Sequence, residues 1–114
     1  MKTIITTSGE FLTGTEIADA VTAYALSLAR ARALDVVDIP FVADGGSVKR
    51  AQFRIGWREK TAVVSDDRPA EELLEIDTIL ELHAKSRSKT LLRDAAVRGG
   101  LTDGPDDTNW DEII

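Results

Sequence analysis

Hydrophobic and polar positions along the chain predict short strands and two longer helices. Residues 2–7, KTIITT, are mostly β-branched and predict a strand. Further along, Ile17, Val21 and Leu28 recur at helical spacing with alanine between them, so we expect a helix that ends near Ala33. Thr13 and Glu16 stand at the spacing of a capping box, which predicts that this helix begins at Thr13.

Three strands are expected in the middle of the chain, at residues 36–42, 50–55 and 61–65. In the second of them, small and apolar residues alternate with polar ones, which is typical of a strand with one buried face. Pro40 cannot donate to a neighbouring strand, so the first strand lies at an edge or turns the missing donor away from its only neighbour.

The stretch Asp44-Gly45-Gly46 allows two interpretations, a phosphate-binding loop or a tight turn. A phosphate loop needs a helix N-terminus directly after the glycines, because the helical amides donate to the phosphate. Here the glycines lie between two expected strands, and they tolerate the positive φ angles of a hairpin turn. We therefore predict a turn.

A second helix is predicted from Asp66 and Asp67, with Pro69 near its first helical position. We expect it to weaken through residues 86–90, and a further helical stretch to run from 91 to 98. Its expected buried side consists of four apolar residues, Leu73, Ile76, Leu80 and Ala84.

Together these elements predict an α+β two-layer sandwich, in which helices pack on an antiparallel meander of three to four strands. Residues 1–100 form a single domain in this interpretation, and residues 101–114 form an acidic C-terminal tail. The order of helix, three strands and helix resembles the topology of the double-stranded RNA-binding fold. That family clamps phosphates at a lysine-rich start of its second helix, whereas the matching segment here is DDRPAEE, so the resemblance is one of topology only.

Charge and composition argue against several classes of partner. The chain has 20 acidic and 14 basic residues and a formal net charge of -6, which gives no general attraction to nucleic acid. No stretch approaches the roughly 20 apolar residues of a membrane span, and no signal peptide is recognisable. With no cysteine in the chain, we expect a cytoplasmic protein that binds neither nucleic acid nor membranes.

The sequence offers few groups for catalysis or metal binding. His83 is the single histidine and has no second histidine with which to build a zinc site. The acids between residues 103 and 112 do not follow the ligand spacing of a calcium loop. We therefore predict no catalytic, cofactor-binding or metal-binding residue, and we expect no cofactor, although an enzyme without a recognisable motif stays open.

Opposite charges supply the remaining candidate site. Basic residues concentrate between positions 49 and 60, and acids beside apolar residues end the tail. The basic group is either a solvated sheet face or a surface that receives an acidic segment, either the protein's own tail or that of a neighbour in a homodimer. The interaction candidates are Lys49, Arg50, Arg54, Trp57, Arg58, Trp110, Asp111, Glu112, Ile113 and Ile114, with Lys60 beside them.

The function predicted first is therefore a non-catalytic protein-interaction module that binds a protein partner or itself. The alternative is a small-molecule or peptide binding module that uses the cleft between helix and sheet, with Tyr24 and Trp57 as pocket aromatics. A third alternative is an enzyme that works through carboxylates and arginines.

Overall fold

The computed structural model describes residues 1–68 and 71–99, with side chains up to residue 89. Within these residues the chain forms a five-stranded antiparallel sheet and two α-helices, which confirms the predicted α+β class. The elements are β1 (Lys2–Thr6), β2 (Gly9–Thr13), α1 (Thr15–Arg30), β3 (Leu34–Val42), β4 (Val48–Gly56), β5 (Thr61–Ser65) and α2 (Ile76–Gly99).

The strands lie in the order β4-β3-β2-β1-β5. β1 pairs along its whole length with both β2 and β5, and β3 pairs along its whole length with β4. In the backbone ladder, β2 pairs with β3 at one position, Leu12 with Val42. The sheet therefore has two well-paired parts that meet at one corner.

This sheet is curled. Edge strand β4 ends at Gly56 and the opposite edge strand begins at Thr61, a step that spans at most about 17 Å. In a flat sheet these two edges would lie about 19 Å apart even at their closest. In agreement, the ring of Phe11 in β2 stacks on the ring of Phe53 in β4 at a centroid distance of 5.1 Å, although β3 lies between their strands.

The core lies between the inner, helix-covered face of the sheet and helix α1. The buried side chains of α1 recur at three- and four-residue intervals, which explains why this sequence forms an amphipathic helix. Helix α2 packs against α1 and contributes Ile79 and Leu82. The main core residues are Ile4, Ile17, Val21, Tyr24, Leu28, Val37, Ile39, Phe53 and Ile55.

The predicted capping box is wrong, because the segment before α1 is a strand that the sequence analysis missed. Thr13 is the last residue of β2, and its buried hydroxyl donates to the carbonyl oxygen of Pro40 at 2.8 Å. The N-cap of α1 is Gly14, which makes no side-chain cap. The predicted end near Ala33 also lies three residues beyond the observed end at Arg30.

The second helix differs from its prediction in start, continuity and buried face. It begins at Ile76 and runs without a break to Gly99. Leu80, expected to be buried, is 60% exposed, whereas the neighbouring Ile79 is 8% exposed. Asp66 instead closes a turn by accepting a hydrogen bond from the backbone N–H of Arg68, and Pro69 lies outside the described residues.

The three predicted middle strands are present, and the turn between the first two is confirmed. Residues 44–46 form one 3₁₀ turn in which Gly45 and Gly46 have φ angles of 85° and 87°. The last of the three strands, β5, pairs with β1 and does not continue the meander beyond β4. The likeness to the double-stranded RNA-binding fold is thus topological only.

Candidate functional site

Two surface cavities lie among the described residues. One, of about 290 Å³, lies between α2 and strands β3 and β4, and half of its lining residues are charged. The other, of about 320 Å³, lies on the face of the sheet opposite the helices. Neither cavity is lined by Tyr24 or Trp57, the aromatics proposed for a ligand cleft.

Arg50 belongs to the first cavity, and its guanidinium binds two acids. Its Nε donates to Asp38 Oδ1 at 2.7 Å, and its Nη1 donates to the Glu75 carboxylate at 2.7 and 2.8 Å. The hydrogen bonds with Glu75 and Asp38 raise the pKa of Arg50, and Arg50 lowers the pKa of Glu75. Arg50 therefore ties the start of α2 to the sheet, and its local charge is already neutralised.

The other basic candidates do not form one continuous stripe. Arg54 shares the outward side of β4 with Arg50, but it forms an ion pair with Glu59 at 3.4 Å. Lys49 lies on the opposite side of β4, since side chains alternate along a strand. The guanidinium of Arg58 stacks over the ring of its neighbour Trp57 at 4.3 Å.

Docking of the acidic tail onto these bases stays a prediction. The tail candidates lie outside the described residues, and so does every other position from 100 onward. These candidates are Trp110, Asp111, Glu112, Ile113 and Ile114.

Tyr24 and Asp35 form the most perturbed titratable pair beside the first cavity. The Tyr24 hydroxyl donates to Asp35 Oδ2 at 2.5 Å. Burial, with this hydrogen bond, raises the pKa of Tyr24, and the same hydrogen bond lowers the pKa of Asp35. Both shifts point away from neutrality, so the phenol stays protonated and the carboxylate stays ionised at pH 7. The pair links α1 to β3 and is poorly suited to proton transfer at that pH.

Metal-binding geometry is not found in the described part of the chain. No group of three or more histidine, cysteine, aspartate or glutamate side chains there could hold an ion. His83 lies exposed on α2.

The second cavity lies over an apolar sheet surface that we call the outer face. It takes side chains from four neighbouring strands, because alternate residues of each strand point away from the helices. Ile5 is 36% exposed and Val64 is 51% exposed. The outer face consists of Thr3, Ile5, Leu12, Val42 and Val64.

Acidic residues dominate the rim of the outer face. Asp66 is paired with Arg68, whose Nη2 lies 2.8 Å from Asp66 Oδ2. Glu10 and Asp44 also line the cavity, and neither forms an ion pair with another described residue. The rim therefore carries net negative charge.

The sequence analysis missed the outer face. The β-branched residues of KTIITT predicted a strand, but they could not show which side of it the helices leave uncovered. Strand β2, which supplies Leu12, was itself not predicted.

Comparison of the chain with known protein families, with curated proteins and with solved structures finds no match in any of the three. Among the described residues, no helix combines the length and the apolar character that crossing a membrane requires.

Proposed function

We propose that this protein is a non-catalytic protein-interaction module and that the outer face is its binding surface. One observation carries the proposal: helix α1 packs on the inner side of the sheet and α2 packs against α1, while the apolar outer face has a cavity above it and no described helix across it. Apolar patches with a polar rim are typical of protein-binding sites.

The rim determines the chemistry of the partner. Glu10 and Asp44, which form no ion pair with another described residue, favour a segment that carries lysine or arginine beside its apolar anchors. The same charges disfavour nucleic acid, and they disfavour the protein's own tail with Asp111 and Glu112. The partner proposed for the outer face is therefore a basic, partly apolar segment of another protein, met in the cytoplasm.

The alternative of an enzyme has less support. Asp38 and Glu75 already occupy the guanidinium of Arg50, which would otherwise bind an anionic substrate. The raised pKa of Tyr24 and the lowered pKa of Asp35 keep the phenol protonated and the carboxylate ionised near neutral pH, so neither is suited to act as a general acid or base there. The outer face, by contrast, leaves Ile5 and Val64 exposed, and Glu10 and Asp44 at its rim form no ion pair with another described residue.

Affinity capture of binding partners, compared between the wild type and two variants, tests the proposal. The wild-type protein, an Ile5→Lys variant and a Leu80→Lys control are immobilised and exposed to an extract of the cells that produce the protein. Leu80 is exposed on α2, away from the outer face, so it controls for an added charge on an apolar surface residue. Circular dichroism establishes that all three proteins are folded.

We expect quantitative mass spectrometry to find partners that the wild type and Leu80→Lys retain equally and that Ile5→Lys loses by about tenfold or more. Their cross-linked segments should carry lysine or arginine beside apolar residues. If all three proteins capture the same set, or if the wild type captures nothing above the bare matrix, the proposal is wrong.

A further inference from the structure

Strand β5 is an edge strand without the usual protection against pairing. It pairs with β1 on one side, and no other described strand pairs with it on the other side. Its sequence, TAVVS, contains no charge and no proline, whereas β4 at the opposite edge carries Lys49, Arg50 and Arg54. Natural edge strands generally carry such charges because they prevent association with another strand.

The backbone hydrogen bonds between β5 and β1 show which N–H and C=O groups of β5 remain available to pair with another strand. The N–H of Asp66 donates to the carbonyl of Met1 at 3.1 Å, so these two residues form a hydrogen-bonded pair in the antiparallel register. Because such pairs alternate along a ladder, Ala62 and Val64 also bond to β1. The N–H and C=O groups of residues 61, 63 and 65 therefore point to the open edge.

We propose that β5 pairs with β5 of a second copy of this chain, antiparallel and about a twofold axis at Val63. In this register Val63 faces the partner's Val63, and Thr61 faces the partner's Ser65. These are the residues whose backbone groups point outward, so each pair exchanges both of its N–H···O bonds. The two sheets become one continuous sheet.

Charge complementarity selects this register. Lys60 lies opposite the partner's Asp66, a carboxylate that also holds Arg68 of its own chain, at both ends of the paired strands, in non-hydrogen-bonded pairs where facing side chains are closest. Shifting the register by two residues in one direction places Lys60 opposite the partner's Val64. Shifting it by two residues in the other direction places Asp66 opposite the partner's Ala62. Parallel pairing places Lys60 against the partner's Lys60. The centred antiparallel register alone matches both charges.

Two side chains of the edge strand fit the same register. Thr61 and the partner's Ser65 share one face of the joined sheet, and threonine–serine pairs across strands form hydrogen bonds. On the other face Ala62 lies opposite the partner's Val64, which brings the two outer faces side by side.

This inference extends the proposed function, because the dimer presents two outer faces, but it rests on β5 alone. Its test is the absolute mass in solution, measured by light scattering over a concentration series. The proteins are the full-length wild type, Lys60→Asp, Asp66→Lys and the double variant that carries both changes. Lys60→Asp places two acids opposite each other, Asp66→Lys places two bases opposite each other, and the double variant restores opposite charges.

We expect the wild type to reach twice the chain mass of 12.4 kDa. The dissociation constant of the dimer should be about tenfold or more higher in each single variant than in the wild type. In the double variant it should return to within about threefold of the wild-type value. Recovery separates the interface from a folding defect, since a misfolded single variant would not be rescued by the second change.

A wild type with the mass of one chain throughout the series would overturn the inference. So would a dimer that the single variants leave intact, or a double variant that stays dissociated. None of these results depends on Ile5, so the failure of the dimer is distinguishable from the failure of the outer face in the capture experiment.

Discussion

The carboxylate of Glu72 accepts a hydrogen bond from the backbone N–H of Thr15 and thereby caps helix α1 from 57 residues away. The N-cap residue, Gly14, supplies no side-chain cap of its own. Glu72 also binds the terminal ammonium of Met1 at 3.0 Å. The segment before α2 thus anchors the start of α1 to the first strand.

Glu72 should make folding stability depend on pH in the acid range. The hydrogen bond from Thr15, with the Met1 ammonium, lowers the pKa of Glu72 from 4.5 to about 2. Because the pKa is lower in the folded state, ionised Glu72 stabilises that state above about pH 4.5, and this contribution is lost as pH falls towards 2.

We expect Glu72→Gln to lower the thermal midpoint at pH 7 and to have little further effect near pH 2. Thermal unfolding across that pH range gives the difference in thermal midpoint between wild type and variant. This difference isolates the effect of Glu72 from that of other carboxylates with lowered pKa values. The exposed Glu71 provides the control, since Glu71→Gln makes the same chemical change at the neighbouring position. A difference of the same size at pH 7 and pH 2 would contradict the assignment.

Gly14 should tolerate no side chain. A Cβ at this position would overlap the backbone carbonyl of Leu73, which cannot move without undocking the segment that carries Glu72. We expect Gly14→Ala to reduce the free energy of unfolding by about 2 kcal/mol or more, measured by chemical denaturation.

Gly46→Asn is the matched control for Gly14→Ala. A Cβ on Gly46 meets open space, and asparagine tolerates the φ of 87° at this turn. This control should change the free energy of unfolding by less than about 1 kcal/mol. Equal losses in the two variants would show that the contact with Leu73 does not matter.

Neighbouring residues of α2 should differ sharply in their contribution to stability. Ile79 is packed in the core, whereas Leu80 is exposed. We expect Ile79→Ala to cost about 2–5 kcal/mol and Leu80→Ala to change stability by about 0.5 kcal/mol or less. Denaturant unfolding of both variants decides the point, and the reverse order would mean that α2 presents the face predicted from the sequence.

These elements show why the sequence predicted the fold class but not the site. The alternation in 50–55 and the period of α1 are local patterns, and both were sufficient to predict that the strand and the helix exist, although not where the helix begins and ends. The face of α2 was not predictable, because apolar residues occur on both sides of the helix and only the position of α1 and β3 decides which side is buried.

The missing strand and the open edge have a different cause. Gly9 and Thr13, the first and last residues of β2, are of types common in turns and helix caps. The local sequence therefore favoured a loop where pairing with β1 imposes a strand. Lys60 and Asp66 flank β5 in the sequence, but their symmetry has meaning only once β5 is known to pair with β1 and to leave its other side open.

Amide hydrogen exchange along β5 tests most directly that this sheet associates through its open edge. We expect the amides of Thr61, Val63 and Ser65 to exchange about tenfold or more slowly at concentrations that favour the dimer than in dilute solution. The amides of Ala62 and Val64, which already bond to β1, should exchange at the same rate in both. If the outward amides exchange equally fast at every concentration, or if all five amides change together, β5 is not the interface.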